Sequence, residues 1–410
     1  MSRARDWLLG ALTVGLAASI TLSETTLVVL AVVLVAGWRA MLERAVPRRP
    51  AWPLIGPLLA FASWTLVAAL ASARPGESLL QGSRGLLTLG AFYVVLYALP
   101  DTPAAVRFMN GLLFAVAIVA LLSFAQVGFC PPGGTLETNN AVVRLLMRKC
   151  ARARGFFSIY MTLAGVLILV LIGVLPRVAR GGRTAAWAFP AWLVGVLSLG
   201  LTSVRGAWLG FAAGCGLCVL ALRRRWLVLA VLALVVAGAL AVEPRLLDRL
   251  KSVGDLADDT TRDRLAMLSA GLGLAIAHPI MGIGPGQVKH MYPVVAPPEA
   301  LRRSTSHLHN TPLQIVVERG LPGLAAWSAI WVGFFGAAWR VFRRVPPPDE
   351  DGRALVLGSM AAVAAFLVAG LFEYNFGDTE VLLVALAVMA LPFVVERDLA
   401  GAAGSAQLFE

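Results

Sequence analysis

Residues 155–184, GFFSIYMTLAGVLILVLIGVLPRVARGGRT, decide the fold class of this chain. An apolar run over residues 155–175 is followed at once by the basic residues Arg177, Arg180 and Arg183. About 20 apolar residues are needed to cross a bilayer as a helix, and short connections rich in Lys and Arg stay in the cytoplasm. The stretch therefore predicts a transmembrane helix whose carboxyl end faces the cytoplasm.

The same pattern repeats along the chain. Its 410 residues are 59% hydrophobic and 14% charged, whereas a soluble domain is about 25% charged. We predict an all-α polytopic membrane protein with about twelve transmembrane helices. The apolar segments are residues 6–22, 25–42, 51–72, 84–100, 104–129, 155–175, 186–202, 205–222, 226–242, 320–342, 354–373 and 379–396.

Four basic connections give the orientation of these segments. RAMLERAVPRRP, PRVARGGRT, LRRRW and RVFRRVPPPDEDGR fall on one side when alternate connections are counted, and the positive-inside rule places that side and both termini in the cytoplasm. The predicted organisation is residues 1–242 with transmembrane helices 1–9, residues 243–319 as a large helical periplasmic loop domain, and residues 320–410 with helices 10–12 and a cytoplasmic tail.

A basic stretch at residues 142–155, VVRLLMRKCARARG, falls on the outer side, against the charge rule. One interpretation is a solvated loop or contact with anionic lipid headgroups. The other is a binding site for a phosphorylated ligand, because the planar fork of Arg matches phosphate oxygens. The residues concerned are Arg144, Arg148, Lys149, Arg152 and Arg154.

The four cysteines fall into two pairs. Cys215 and Cys218 lie inside an apolar run and are expected to be inert packing residues. Cys130 and Cys150 bracket a polar loop, and a disulfide between them is expected if that loop lies in an oxidising compartment.

The longest connection, residues 242–320, is predicted to be functional because of its length. Within it, TTRDRLAMLSAGLGLAIAHP is predicted to be an amphipathic helix. Arg262 and Arg264 lie near its start, where cations oppose the helix dipole. This placement indicates an anionic partner, unless both side chains are simply solvated. The apolar stripe consists of Leu265, Leu268, Leu272 and Ile276.

MGIGPGQ follows this helix, with glycines at residues 282, 284 and 286. It has the alternating glycines of a phosphate-binding loop, but no strand precedes it and no P-loop lysine closes it. We interpret it as a flexible bend that lets the backbone approach a ligand or another helix.

The stretch SHLHNTPLQIVVERGLPG carries His307 and His309 just before a predicted helix. Thr311 is predicted as its N-cap and Pro312 as its first helical residue, and the helix is expected to stop at Gly320. The positive end of a helix favours a neutral imidazole, which is a competent general base near pH 7. A structural histidine and a His-x-His metal pair are the alternatives. A metal site lacks an obvious third ligand, and the first outer loop offers only Glu24.

Three motifs in this order, SVRGAWLG around Arg205, RDRLAMLSAGLGLAIAHPIMGIGPGQ around Arg264 and HLHNTPLQIVVERGLPG around His309, resemble the bacterial O-antigen ligase family of the O-antigen ligase/polymerase superfamily. The resemblance covers most of the chain and implies a glycosyltransferase with a GT-C-like transmembrane fold. It also implies a bacterial inner-membrane location with the active site on the periplasmic face.

The family transfers O-antigen en bloc from undecaprenyl pyrophosphate to lipid A–core oligosaccharide. The resemblance therefore implies these two substrates, surrounding membrane lipids, no nucleic acid, no cofactor and no metal. It assigns functional roles to Arg205, Arg264 and His309, while Arg262 competes with Arg264. The full expected site comprises the catalytic His309 and His307 and the substrate-binding Arg205, Arg264, Arg262, Arg154, Arg152, Arg148 and Asn310.

Three other functions are weighed against this one. An O-antigen polymerase uses the same donor, and protein O-oligosaccharyltransferases are related enzymes of the superfamily. A polysaccharide or lipid transporter would show inverted repeats or charged residues inside its spans. The predicted spans are nearly free of acidic residues, and the candidate residues cluster outside them.

Overall fold

The computed structural model describes residues 2–42, 52–131, 134–135, 138–181, 185–221 and 259–406. Within these ranges the structure is helical, apart from an isolated bridge between Thr135 and Arg148, so the all-α prediction is confirmed. The helices are α1 Ser2–Ala18, α2 Ile20–Leu42, α3 Ile55–Leu70, α4 Pro75–Leu89, α5 Ala91–Ala98, α6 Thr102–Gly128, α7 Ala141–Met147, α8 Tyr160–Arg180, α9 Ala185–Thr202, α10 Arg205–Ala221, α11 Asp259–Ala277, α12 Val288–Val295, α13 Thr311–Arg344, α14 Glu350–Gly370 and α15 Thr379–Ala406, with a 3-10 turn at Asn375–Gly377.

Seven helical segments of the described chain are long and apolar enough to cross a membrane, by length and composition. This is the pattern of a multi-pass membrane protein. The predicted ninth span, residues 226–242, and the connections at residues 43–50 and 222–226 lie outside the described residues. The seven segments are Ile20–Gly37, Pro75–Ala98, Thr102–Gly128, Tyr160–Arg180, Thr311–Arg344, Glu350–Gly370 and Thr379–Gly401, and the shorter apolar helices are Ile55–Leu70, Ala186–Thr202 and Arg205–Ala221.

Helix α8 forms the centre of the bundle. Every residue from Thr162 to Arg177 is buried, against α14, α9, α10 and α6. Its closest approach to α14 is at Gly173 and Gly358, where a Cβ on Gly358 would overlap the Gly173 carbonyl. Small residues let helix backbones approach closely inside a membrane, so these glycines set the spacing of the core.

The polar connections collect at two opposite ends of the bundle. At one end Arg180 donates to Asp351 at 2.6 Å. At the other, Thr162 donates to Asp378 at 2.6 Å. Thr162 and Arg180 lie at opposite ends of α8, as the sequence predicts for two connections on opposite sides of the membrane. The end that contains Asp378 is called the outer end below.

Helix α13 is two helices joined at a kink. Gly320 has φ 65° and ψ −176°, which ends the first part, as predicted, and the second part continues to Arg344. A Cβ at Gly320 would overlap the carbonyl oxygen of Ile280. The kink therefore lets residues 279–284, which follow α11, lie in contact with the end of the first part of α13.

The first part of α13 packs with α11 and α12 around a second apolar core at the outer end. That core consists of Met267, Ala270, Leu274, Ile283, Val288, Tyr292, Leu308, Leu313 and Val317. The predicted helix in residues 260–277 is confirmed as α11. Its predicted apolar stripe, however, is exposed, and the buried face consists of Ala266, Met267, Ala270 and Leu274. Gly271 in the same helix lies close to Leu313 of α13. The predicted loop residues before Asp259 lie outside the described chain.

Candidate functional site

His309 lies at the centre of a polar cluster at the outer end. Its Nδ1 is 2.8 Å from Oε2 of Glu373, and the two side chains are 15% and 12% exposed. A carboxylate accepts hydrogen bonds, so this contact places the proton on Nδ1. The lone pair of His309 is then on Nε2, where it can accept a proton from a substrate hydroxyl.

The local backbone holds His309 in an uncommon conformation. Its φ is 49°, in the left-handed region, where a residue with a Cβ costs on the order of 1–3 kcal/mol. The backbone N–H of Leu308 donates to Gln314 Oε1 at 2.8 Å, and Asn310 Oδ1 accepts from the Leu313 N–H at 2.9 Å. The sequence predicted Thr311 as the helix cap, but the cap is Asn310, because the Asn310 side chain reaches a free backbone N–H of the first turn.

Glu373 is supplied by the turn between α14 and α15 and is tied to the start of α13. Thr311 Oγ1 donates to the Glu373 carbonyl at 2.8 Å and lies 3.0 Å from Asn375 Oδ1. Asn310 Nδ2 donates to the Leu371 carbonyl at 2.9 Å. These bonds fix the glutamate beside the histidine, and they occupy both polar atoms of the Asn310 amide.

Arg264 reaches the same carboxylate from α11. Its guanidinium donates to Oε1 of Glu373, opposite the oxygen used by His309. Arg262 is exposed. Of the two arginines that compete in the sequence, the structure brings Arg264 to the histidine.

Arg205 is half-buried at the first residue of α10. The next residue, Gly206, packs so tightly on Phe372 that a Cβ would lie 2.6 Å from the phenylalanine Cβ. Phe372 immediately precedes Glu373. The segments carrying Arg205, Arg264 and His309 therefore converge on one short turn.

Sequence reasoning missed Glu373. The signal available was LFEYNFGDTE, an acidic connection between the last two predicted spans on the outer side. Nothing in that stretch indicates which acid meets the histidine, because the contact joins residues 64 positions apart.

His307 stands edge-on to His309, with ring centroids 4.4 Å apart. Burial, together with the neighbouring His309, lowers its pKa to about 4. Its Nδ1 is buried and has no hydrogen-bond partner within the described chain. His307 is therefore neutral at pH 7.

The glycine-rich loop at residues 282–286 packs against protein. The amides of Ile283 and Gly284 donate to the carbonyls of Val317 and Glu318 at 2.9 and 3.0 Å, and the Gly286 amide donates to Glu318 Oε1 at 2.8 Å. The three glycines have φ of 67°, 98° and 73°. Of the two predicted roles, this backbone approaches a helix, and these three amides are already bonded to it.

A buried polar network joins the first part of α13 to α3. Glu318 accepts from Gln314 Nε2 and from the Arg319 guanidinium, each at 2.7 Å, and Arg319 also donates to Thr65 Oγ1 at 3.1 Å. Gln314 is the residue that holds Leu308. Because buried charges are stable only when paired and hydrogen-bonded, this network connects the histidine loop firmly to α3.

The basic loop is closed by a disulfide between Cys130 and Cys150, the two cysteines that bracket it. Cys215 and Cys218 are buried free thiols.

Arg154 is buried in the basic loop and shapes its backbone. Its guanidinium donates to the carbonyls of Arg148 and Phe157 at 2.7 and 2.6 Å, and to those of Leu145 and Leu146. Arg152 stacks over the Tyr160 ring at 4.5 Å. The exposed cations of the loop are Arg144, Arg148 and Lys149. Phosphate binding by Arg154 stays a prediction, and its geometry favours a role in loop shape.

No group of three His, Cys, Asp or Glu side chains suited to a metal ion occurs among the described residues. Of the remaining histidines, His290 contacts Glu77 at 3.0 Å, and His278 is exposed. Neither joins His307 and His309.

Residues 189–328, about a third of the chain, match the family model described as O-antigen ligase. The matched region contains Arg205, Arg264 and His309 but ends before Glu373. No curated protein matches the chain.

Proposed function

We propose that this chain, a member of the O-antigen ligase/polymerase superfamily, is a glycosyltransferase that acts as an O-antigen ligase. It transfers O-antigen polysaccharide en bloc from undecaprenyl pyrophosphate to a sugar hydroxyl of lipid A–core oligosaccharide, completing lipopolysaccharide. The observation that carries the proposal is the meeting of His309 and Arg264 on Glu373 at one end of an apolar bundle.

In the proposed reaction His309 is the general base. The acceptor oxygen bonds to the anomeric carbon of the donor, and the hydroxyl proton moves to Nε2 of His309. The bond from that carbon to the pyrophosphate breaks, and its electron pair stays on the leaving oxygen. A positioned base contributes ~10²–10⁴-fold to such a step. His307, which stays neutral, supplies a hydrogen bond that orients the acceptor.

The leaving pyrophosphate gains negative charge as the glycosidic bond breaks. In the proposal Arg264 and Arg205 stabilise this charge, since fixed cations act strongly in a site that excludes water. In the proposal Arg262 adds a positive charge at the exposed edge of the site, and Asn310 holds the start of α13 by capping it. The arginines take the role that a divalent cation has in other transferases, so transfer is proposed to proceed without metal or cofactor.

The basic loop is proposed to contact phosphate groups of the acceptor or donor through Arg148 and Arg152, while Arg154 holds its shape. The outer end is assigned to the periplasm and both termini to the cytoplasm of a bacterial inner membrane. Support comes from the basic connections at the opposite end, which carry Arg180 and Arg344.

Gene disruption tests the function directly. A ligase mutant loses all long-chain lipopolysaccharide and accumulates lipid-linked polymer. Retention of a single O-unit on the core would indicate a polymerase instead, and normal lipopolysaccharide with an underglycosylated protein would indicate a protein O-oligosaccharyltransferase. Either result would overturn the ligase assignment.

A further inference from the structure

We propose that Glu373 is a positioning residue that sets the histidine base and the leaving-group arginine together. The inference rests on the proposed function and adds to it a residue beyond the matched family region. One carboxylate would fix the tautomer of His309 and the position of Arg264, so the two halves of the chemistry share a single support.

The two oxygens of Glu373 serve different partners. Oε2 accepts from His309 Nδ1 at 2.8 Å, and Oε1 accepts from Arg264. The side chain is 12% exposed, and a carboxylate this buried is stable only with such partners. Each of the three residues comes from a different segment of the chain, so Glu373 joins α11 to the start of α13.

For the base, this contact has two consequences. The Nδ1–H bond to Glu373 keeps the lone pair on Nε2, the nitrogen that must take the proton. When the imidazole becomes protonated, the adjacent carboxylate stabilises its positive charge, as the aspartate does in a serine protease triad. Loss of the carboxylate should therefore lower kcat, with ~10²–10⁴-fold as the expected range.

For the arginine, the contact provides pre-organisation. A guanidinium has five N–H donors, so the bond from one terminal nitrogen of Arg264 to Glu373 leaves donors for pyrophosphate oxygens. Holding the side chain in place before the donor arrives lowers the entropy cost of binding. Loss of Glu373 should therefore raise the donor KM as well as lower kcat.

Glu373 is itself held rigidly. Thr311 bonds to its carbonyl at 2.8 Å, and Phe372 beside it packs against Gly206, next to Arg205. A support for two functional groups needs this rigidity, because small displacements of catalytic groups cost large factors in rate.

The test uses the purified full-length protein with lipid-linked O-antigen and lipid A–core, and measures kcat and donor KM. Glu373→Gln should lower kcat within the range above and raise donor KM, and Glu373→Asp should recover part of the loss. In a His309→Ala background the Gln change should have little further effect on kcat, because residues that act as a unit are not additive.

Glu77→Gln is the matched control, since Glu77 also pairs with a histidine, His290, at the outer end but away from the site. It should keep wild-type kcat and KM. A Glu373→Gln enzyme with wild-type constants would overturn the proposal. So would a full, additive loss in the His309→Ala background, or a loss of thermal stability that accounts for the loss of activity. Absence of transfer by the wild-type enzyme would instead contradict the proposed function.

Discussion

Gly320→Ala should disrupt the site from a distance, through the kink in α13. Gly320 has φ 65°, and an added Cβ would overlap the Ile280 carbonyl oxygen. The backbone conformation alone costs a residue with a Cβ on the order of 1–3 kcal/mol. Relief of the overlap requires α13 to straighten or the segment after α11 to move. We expect a total destabilisation of ~3 kcal/mol or more, with loss of transfer because His309 lies just before the first part of α13 and is held by it.

Gly336→Ala in the same helix is the matched control. Nothing lies within 4 Å of a Cβ built at Gly336, and Ala is favoured over Gly in a helix by ~1 kcal/mol. The measurement is thermal unfolding of the purified protein in detergent, paired with the transfer assay. Gly320→Ala should lower Tm and activity, whereas Gly336→Ala should preserve both. Equal Tm and equal activity for the two variants would refute the argument that the kink positions the histidine.

Four further outcomes are expected. His309→Ala should lower turnover ~10²–10⁴-fold while the protein stays folded; a purified variant that keeps more than about a tenth of wild-type turnover would contradict its role as base. Arg264→Ala should abolish transfer and Arg264→Lys should restore only part, because a point charge cannot form the bidentate fork; full rescue by Lys would exclude bidentate binding. Transfer should survive excess EDTA, and loss restored by Mg²⁺ or Mn²⁺ would support the His-x-His metal alternative. Burial holds the pKa of His307 near 4, below its unfolded value of about 6.5. The stabilisation from the neutral histidine is therefore present above about pH 6.5 and is lost as the pH falls towards 4. His307→Gln should flatten the pH dependence of Tm in this window, and an unchanged slope would argue against a buried neutral histidine.

Local patterns in the sequence predicted most of the long helices and indicated several candidate site residues. Apolar runs predicted α6, α8, α9, α10, α14 and α15 because a bilayer imposes a length on each span. Gly320 was predicted as a helix end, and the structure has its kink there. Arg262, Arg264 and His309 were indicated by their places relative to helix termini, which are properties of neighbouring residues, and the family resemblance favoured Arg264.

Periodicity predicted α11 but not the face it buries. The predicted stripe of Leu265, Leu268, Leu272 and Ile276 is exposed, whereas Met267, Ala270 and Leu274 are buried. Gly271, which has no side chain, allows the close approach to α13. The basic loop shows the same limit. Five cations close in sequence give no sign that Arg154 donates to backbone carbonyls while Arg148 is exposed.

The tertiary structure alone decided the partner of the histidine. Glu373 meets His309 across 64 residues and Arg264 across 109. These contacts depend on how α14 and α15 pack against α13 and on the close approach of Gly206 to Phe372. Local sequence specifies helices because their hydrogen bonds join residues four apart. A carboxylate shared by two distant segments is specified only when the packed bundle brings their backbones together.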